Sequence, residues 1–505
     1  MPQFVRRARS PLNFIPVAYN PWVMRVIHWA LPFFLRIRVR PWLPVGIQRI
    51  EVENVERLVD LYAQFEAGKT RFLMAVRHVE VDDPLSGLYM CSRAVAKAAK
   101  AQGIRLKQPV HSHFIYERGM TIWAGDGIGW LLSRIGGTPI RRGRRPDWVG
   151  LKAARKLLTE GCMPLVVAPE GATNGHSQRL GPLEPGVAQL GFWCAEDLQR
   201  ANRTESVSII PIGLQYRYCK PNWPRLSQVL SQLEAQSGLS PQSQAASSPS
   251  DRQDQKTQNL EHQNLDKDCH LRILRLGEHL MRTMETFYQR WYHRHISEVE
   301  ASDSKVSNSK VSNPEVSNPE DNHSTTDASE RLRSLLDQAL QVSESFFNLP
   351  GKGNLVDRCR RLEEASWTYI YREDLPELST LSPLERGLAD WTAQEASLRE
   401  LHMRIVESFV AVDEHYLHIK PGERPSFERC AEITLLMSDM LGRLGGDRLP
   451  GRPRLGNRWV KMTVQEPIAL TPHLQAYQKN RRSGRTAVAT ITEKIRQALE
   501  ETIED

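Results

Sequence analysis

Apolar residues alternate between two spacings along the first half of the chain. Short apolar runs at 71–76 and 164–168 have the length of buried strands, whereas 84–100 and 148–160 carry apolar residues at the spacing of amphipathic helices. Strands and helices that alternate in this way build a mostly parallel or mixed sheet covered by helices. The pattern therefore predicts an α/β core over residues 46–222.

The pattern changes after this core. Residues 223–329 are rich in Ser, Gln and Asn, and a five-residue repeat occupies 305–319. A segment with so few large apolar side chains cannot offset the entropy of its chain. We therefore expect a polar, largely disordered insert with one helix near 269–297.

The helical spacing then continues over 330–450 and predicts an all-helical insert. A Ser-Pro-Leu-Glu sequence at 382–385 has the form of a capping box with proline at the first helical position. Alternating apolar residues at 460–464, followed by another helical pattern, indicate that residues 451–505 supply a closing strand and helix of the α/β core.

Residues 1–45 combine arginine with tryptophan and phenylalanine. The first fifty residues contain eight arginines, no lysine and no acidic residue. No run free of charged residues reaches the roughly twenty that a bilayer span requires. This composition is typical of a basic amphipathic segment on an anionic membrane surface. A buried helical hairpin and a transit peptide are the alternatives.

The rest of the chain carries equal numbers of basic and acidic residues, although the net charge is +8. The charge therefore belongs to the first segment and does not indicate a nucleic-acid partner. Seven cysteines are scattered without a Cys-x-x-Cys pair, which favours a reducing compartment and argues against a zinc ribbon. His111 and His113 have no acidic or cysteine partner at a metal-site spacing, so we expect core or surface histidines and no metal.

A histidine and an aspartate lie five positions apart, between a predicted strand and the predicted helix that follows it. His78 follows the strand. Asp83 is the predicted N-cap of the helix, and Pro84 is its predicted first residue. A spacing of five brings two side chains together only if the chain turns between them. A carboxylate beside an imidazole could then form a general base. The alternative is an ordinary helix cap and an ordinary loop histidine.

Three more short segments follow in order. They are Gly136-x-x-Pro139-Ile140-x-Arg142, Pro169-Glu170-Gly171 and Ile210-Pro211-Ile212. Together with His78-x4-Asp83, they resemble the four motif blocks of the glycerolipid acyltransferases, which include lysophosphatidate and glycerol-3-phosphate acyltransferases. The resemblance covers residues 46–218 and is extended to 459–505, but it does not include the insertion between them.

The resemblance implies a reaction and the two residues that carry it. His78 would deprotonate a hydroxyl of a lysophosphatidate- or glycerol-3-phosphate-like acceptor, and Asp83 would orient the ring. The hydroxyl would attack the thioester of acyl-CoA or acyl-carrier protein. An imidazole suits this role because it can take and return a proton near neutral pH. No cofactor is implied, since the thioester is a co-substrate.

The resemblance also implies an acceptor-binding surface. Arg142, with its neighbour Arg141, would bind the acceptor phosphate, because a guanidinium matches phosphate in a two-pronged geometry. A solvated basic loop is the alternative. Glu170 and Gly171 match the acceptor-binding loop of the family, and a capping or ion-paired carboxylate is the alternative for Glu170.

The chain departs from the family pattern at several positions. Arg77 stands where asparagine is usual, and Glu80 stands where serine is usual. The third block ends in Ala172-Thr173-Asn174 and lacks the usual arginine, which removes one phosphate contact. These departures bear on which acceptor is bound more than on the type of reaction, because His78 and Asp83 are both present.

The sequence thus predicts an acyltransferase at the cytoplasmic face of a membrane. Its expected partners are a membrane surface with anionic lipid, an acyl thioester donor and, as an alternative donor, acyl-carrier protein; no nucleic acid is expected. The departures motivate a rival from another class, a non-catalytic membrane- or protein-binding module on a degenerate acyltransferase fold. Thioester hydrolysis, with water as the acceptor, is a third hypothesis.

Overall fold

The computed structural model describes residues 5–38, 41, 43, 46–141, 147–173, 175–240, 255–294, 320–375, 377–410, 412, 425–447 and 449–504. The chain divides into two compact units. The α/β unit comprises Ser10–Asn222 and Leu449–Asp505, and the helical unit comprises Met1–Arg9 and Trp223–Arg448. The first 45 residues, expected as one segment, are therefore divided between the two units.

The α/β unit is built on a mixed sheet. Its strands are, in chain order, β1 (Ile47–Glu53), β2 (Thr70–Val76), β3 (His113–Glu117), β4 (Gly137–Ile140), β5 (Leu165–Val167), β6 (Ser206–Tyr218), β7 (Arg458–Val464) and β8 (Ile468–Ala469). Across the sheet they lie in the order β1-β7-β6-β2-β5-β3-β4, with β8 beside β6. Strands β6, β2, β5, β3 and β4 are parallel, whereas β7 and β8 run antiparallel to β6. The α/β class predicted from the sequence is confirmed.

The helices fall in both units. In chain order they are α1 (Pro21–Arg36), α2 (Val55–Glu66), α3 (Asp83–Tyr89), α4 (Ala96–Ala101), α5 (Met120–Ala124), α6 (Asp126–Arg134), α7 (Trp148–Glu160), α8 (Gly186–Arg200), α9 (Trp223–Gln236), α10 (Gln255–Tyr292), α11 (Glu320–Phe347), α12 (Leu355–Ile370), α13 (Pro383–Phe409), α14 (Phe427–Leu444), α15 (Leu474–Gln478) and α16 (Arg481–Glu500). A π-helical turn, Met90–Val95, joins α3 to α4, so the predicted helix over 84–100 forms.

The sheet separates two apolar cores. Successive residues of a strand point to opposite faces, and β2 follows this rule. Its Phe72 and Met74 pack in the core that includes Leu31 and Leu35 of α1. On the other face lies the core formed with α7, α8 and α16, which β2 enters through Leu73. Both faces are covered, which explains why β2 is apolar at nearly every position.

The end of the chain completes the sheet. Strand β7 lies between β1 and β6, parallel to the first and antiparallel to the second. Helix α16 buries Val488, Ile491, Ile495 and Leu499 in the second core. The predicted closing strand and helix over 451–505 are therefore part of the α/β unit, and β7 brings the residues after the insertion beside β6.

The segment predicted as largely disordered differs from expectation within its described part. Helix α9 covers Trp223–Gln236 and buries Leu226, Val229, Leu230 and Leu233 on one face. The sequence did not predict this apolar face, because the surrounding residues are rich in Ser and Gln. The helix expected near 269–297 is α10, which begins earlier, at Gln255. The repeat at 305–319 lies outside the described residues.

The helical unit contains α9 to α14, as the pattern over 330–450 indicated for its later part. The predicted capping box at the start of α13 is confirmed. The Ser382 backbone N–H donates to Glu385 at 2.9 Å, and Glu385 N–H donates to the Ser382 hydroxyl at 3.3 Å. Residues 5–9 belong to this unit because Ala8 N–H donates to Asp390 on α13, and Arg9 pairs with Tyr371.

Candidate active site

The predicted site residues that the structure describes lie beyond the carboxyl ends of the parallel strands. One row of paired residues crosses the parallel strands β2, β5, β3 and β4: Met74, Val166, Phe114 and Gly137. Four positions beyond that row the chain reaches His78, Glu170, Arg118 and Arg141. Neighbouring strands lie about 4.8 Å apart. The first and third motif blocks are therefore on adjacent strand ends, and Arg141, near the end of the second block, lies roughly 14 Å away along the same edge.

His78 and Asp83 are in direct contact. The His78 Nδ1 atom lies 2.9 Å from Asp83 Oδ2. The same oxygen accepts the backbone N–H groups of Val79 at 2.6 Å and Glu80 at 3.0 Å. The chain therefore turns tightly between the end of β2 and the start of α3, as the spacing required.

The predicted capping role of Asp83 is wrong. Helix α3 begins at Asp83, the preceding Asp82 occupies the N-cap position, and neither side chain caps the helix. The Asp83 carboxylate instead points back to the residues just before the helix. The carboxylate that was expected to cap the helix thus contacts the imidazole instead.

This geometry is that of an oriented base. A carboxylate at Nδ1 favours the tautomer with its proton on that nitrogen, which leaves the Nε2 lone pair available. The side chain of His78 is 28% exposed and that of Asp83 only 5%. Among the described residues, Asp83 is the partner of the His78 ring. The imidazole is therefore accessible, whereas the carboxylate beside it is shielded from water.

The second oxygen of Asp83 is held by a residue that the sequence did not indicate. The Tyr216 hydroxyl donates to Asp83 Oδ1 at 2.7 Å, and it lies 3.3 Å from Asp82 Oδ1. Arg458, at the start of β7, donates to Asp82 Oδ2 at 2.7 Å and lies over the Tyr216 ring at 4.4 Å. No local pattern could reveal Arg458, because it reaches Asp82 from 376 positions away.

Glu80 is part of the same buried charge cluster. Arg452 donates to its Oε2 at 2.8 Å, and Arg458 lies 3.8 Å from Oε1. Burial raises the pKa of Glu80 to about 7, although both guanidinium groups act in the opposite direction. Burial also raises the pKa of Asp82. The departure from the family pattern at Glu80 therefore supplies a partner for Arg452 and Arg458.

Arg77 also has a structural explanation. Its guanidinium is fully buried and donates to carbonyl oxygens of the segment after β5 and of strand β6. The acceptors are Ser177 at 2.6 Å, His176 at 2.9 Å, Leu214 at 3.2 Å and Arg179. Because one side chain joins the segments after β2 and β5 to strand β6, Arg77 fixes the frame around His78.

Glu170 joins the first and third motif blocks. Its Oε2 accepts the His78 backbone N–H at 2.8 Å, and its Oε1 accepts that of Gly181 at 2.8 Å. Burial raises the pKa of Glu170. Gly171 has a φ of +73°, in the left-handed region that favours glycine. In this structure Glu170 positions the His78 backbone, and its contact with an acceptor stays a prediction.

The basic cluster of the second block is described only in part. Arg142 lies outside the described residues. Arg141 directly follows β4, and its backbone N–H donates to Asp147 Oδ2 at 2.8 Å. Arg118, which the sequence did not single out, pairs with the same carboxylate. Phosphate binding by Arg141 and Arg142 therefore stays a prediction.

His111 and His113 are core residues. His111 Nε2 lies 2.7 Å from the carbonyl oxygen of Ile135, and His113 Nδ1 lies 3.0 Å from that of Gly136. The His28 ring packs edge-on against His111 at 5.9 Å. No group of three or more His, Cys, Asp or Glu side chains that could hold a metal ion occurs in the described part of the chain.

We expect the half-buried His28 and the buried His111 to make the α/β unit acid-sensitive. Burial lowers the pKa of His28 to about 4 and that of His111 to about 3. In the unfolded chain both bind protons near pH 6.5. Their contribution to stability is therefore complete above that pH and is lost as the pH falls towards 4. Urea unfolding at pH 7 and pH 5 should show a larger loss for the wild type than for the His28→Gln/His111→Gln variant. Equal losses would contradict this origin.

Helix α1 presents an exposed apolar stripe. Met24, Leu31 and Leu35 are buried on one side of the helix. The opposite side exposes large side chains three or four positions apart: Trp22, Val26, Trp29 and Phe33, followed by Ile37. Trp22 is 71% exposed and Trp29 is 81% exposed. The helix continues through Pro32 to Arg36.

Within the described residues, no helix has the length and apolar character that crossing a bilayer requires.

Comparison with known proteins adds no family to these observations. No family model matches the sequence, and no curated protein is significantly similar to it.

Proposed function

We propose that this chain is a membrane-associated acyltransferase. It would move a fatty acyl group from acyl-CoA or acyl-carrier protein to a hydroxyl of a lysophosphatidate- or glycerol-3-phosphate-like acceptor, on a glycerolipid acyltransferase-like fold. The 2.9 Å contact between His78 Nδ1 and Asp83 carries the proposal. It lies at the carboxyl edge of parallel strands, where α/β proteins bind their ligands, and within a series of motifs that resembles this family.

The chemistry follows from the orientation of the ring. His78 Nε2 accepts the proton of the acceptor hydroxyl as its oxygen attacks the thioester carbonyl carbon. The imidazolium that forms is stabilised by the Asp83 carboxylate. Collapse of the tetrahedral oxyanion breaks the carbon–sulfur bond, and the departing thiolate takes the proton from the ring. The products are an ester and a free thiol, and the histidine returns to its starting state.

The acceptor phosphate would bind towards β4. Arg141 directly follows that strand, about three strand spacings from His78, and Arg142 is the next residue in the sequence. A guanidinium provides paired donors for phosphate oxygens. The distance leaves room for a glycerol backbone between the phosphate and the hydroxyl that reacts.

Helix α1 would hold the enzyme on the membrane, at the cytoplasmic face. Its exposed stripe joins two tryptophans and a phenylalanine, and Arg25 and Arg36 are exposed at the edge of the stripe. An apolar face flanked by arginine suits the boundary of an anionic bilayer. Because the buried side of α1 packs on the core of the α/β unit, the bilayer contact and His78 would belong to one compact unit.

We expect the Trp22→Ser/Trp29→Ser variant to lose about tenfold or more in affinity for vesicles of phosphatidylcholine and phosphatidylglycerol. Large aromatic side chains supply most of the apolar area that such a helix inserts. Sedimentation with vesicles measures the effect. The matched control is Trp130→Ser/Trp148→Ser, because these tryptophans are 54% and 58% exposed but lie outside the stripe. Equal binding by both variants would contradict the assignment of α1.

An acceptor panel tests the function itself. Thiol release from acyl-CoA or acyl-carrier protein is followed with lysophosphatidate, glycerol 3-phosphate, other lysophospholipids and simple alcohols. Release that depends on a phosphate-bearing acceptor supports the proposal. Release without an acylated product identifies a hydrolase. No release by protein that still binds vesicles supports the non-catalytic module.

A further inference from the structure

We infer that Tyr216 is a positioning residue for the histidine base. Its hydroxyl fixes the Asp83 carboxylate so that one oxygen faces the His78 ring. The inference rests on the proposed function, because it explains how the dyad of that site is held. Tyr216 is buried and lies in β6, 138 positions after His78, so no motif of the sequence identifies it.

The two oxygens of Asp83 have different partners. Oδ2 receives the His78 ring and two backbone N–H groups, as described above. Oδ1 receives the Tyr216 hydroxyl at 2.7 Å. Because backbone donors hold one oxygen and a side chain holds the other, the plane of the carboxylate is fixed. Without the hydroxyl, Oδ1 would be a buried acceptor that has lost its closest donor, and the carboxylate would gain freedom to rotate.

Tyr216 is itself held in place on several sides. Its backbone pairs with Val460 of β7, and its backbone N–H donates to the Ser177 hydroxyl at 3.2 Å. The Arg458 guanidinium covers the ring at 4.4 Å. Burial beside Asp82 and Asp83 raises the pKa of Tyr216 well above its usual value, so the hydroxyl stays a donor. A neutral and immobile donor therefore points at Asp83.

The neutrality of this donor matters for the charge that reaches His78. Arg458 forms its 2.7 Å bond with Asp82 and approaches Glu80, which Arg452 also binds. Asp83 receives hydrogen bonds from a neutral hydroxyl and from backbone groups. The arginines thus pair with the neighbouring carboxylates, and the negative charge of Asp83 stays available to the imidazolium. Tyr216 orients Asp83 without neutralising it.

The Tyr216→Phe variant removes this hydroxyl alone. We expect kcat to fall about tenfold, the effect of losing one hydrogen bond to a charged group, while the KM values for both substrates stay unchanged because Tyr216 is buried and acts through Asp83. The control is Tyr116→Phe on β3, since the buried Tyr116 hydroxyl has no hydrogen-bond partner in the described residues. This control should keep wild-type kcat.

A second comparison separates positioning from general stability. In the Asp83→Asn background, Tyr216→Phe should cost little more, because its effect acts through the aspartate. A full tenfold loss in both backgrounds, or an unchanged kcat in the single variant, would overturn the inference.

A measurement without turnover keeps this inference distinct from the proposed function. In ¹⁵N-histidine NMR, the His78 signal is the one lost in His78→Ala. The wild type should hold the tautomer protonated at Nδ1, and Tyr216→Phe should show a mixture of tautomers. An unchanged tautomer in the variant overturns the positioning role. Absence of transfer by the wild type, with the tautomer shift present, overturns only the proposed reaction.

Discussion

His78→Ala is expected to abolish acyl transfer and to leave the fold intact. The variant removes the ring whose Nδ1 lies 2.9 Å from Asp83. A positioned general base contributes about 10²- to 10⁴-fold in rate. The Asp83 carboxylate keeps its bonds to Val79 N–H, Glu80 N–H and Tyr216, so the turn before α3 should persist. Thiol release measures the rate, and circular dichroism with thermal unfolding measures the fold.

The matched control is His473→Ala. This histidine also belongs to the α/β unit, where it ends the short 3₁₀ turn Thr471–His473. Its ring approaches Lys494 and makes no contact with the segment from His78 to Asp83. The control should transfer acyl groups at the wild-type rate. Full activity of His78→Ala would refute the catalytic assignment.

Arg77→Met is expected to produce the largest loss of stability in the α/β unit, about 3 kcal/mol. The substitution leaves buried carbonyl oxygens after β5 and on β6 without their shared donor. It also removes the positive charge that acts on the buried Glu170. Because Glu170 holds the His78 backbone, activity should fall at temperatures where the unit is still folded.

Urea unfolding, followed by a probe in the α/β unit, measures this loss. Two compact units need not unfold together, so a probe for each unit is required. The control is Arg105→Met, an arginine that is exposed on the surface of the same unit. Its midpoint should stay within experimental error of the wild type. A loss below about 0.5 kcal/mol for Arg77→Met, the size of an ordinary surface substitution, would contradict the role given to Arg77.

Local patterns predicted the parts of the site that are local. The apolar run before His78 forms β2, and the pattern after Asp83 forms α3, the π-helical turn and α4. A turn between them was required by the spacing, and it occurs. The start of α3 was misjudged by one residue, because either of two adjacent aspartates can precede a helix that begins with proline in its first turn.

The remaining parts of the site depend on long-range pairing. Tyr216 reaches Asp83 because β6 lies beside β2, and Arg458 reaches Asp82 because β7 pairs with β6 across the insertion. The order of strands in the sheet cannot be predicted from the spacing of residues within one segment. Arg77 and Glu80 were interpreted as losses from a motif. Only their partners, which are backbone carbonyls for Arg77 and two arginines for Glu80, reveal what they do.

We propose that His78 activates a lipid hydroxyl for attack on a thioester. Single-turnover transfer from isotope-labelled acyl-CoA to lysophosphatidate, in vesicles that contain phosphatidylglycerol, tests it most directly. The wild type should form one acylated lipid for each thiol released, and His78→Ala should form none. Thiol release without acylated lipid, or transfer that survives the loss of the imidazole, would contradict the claim.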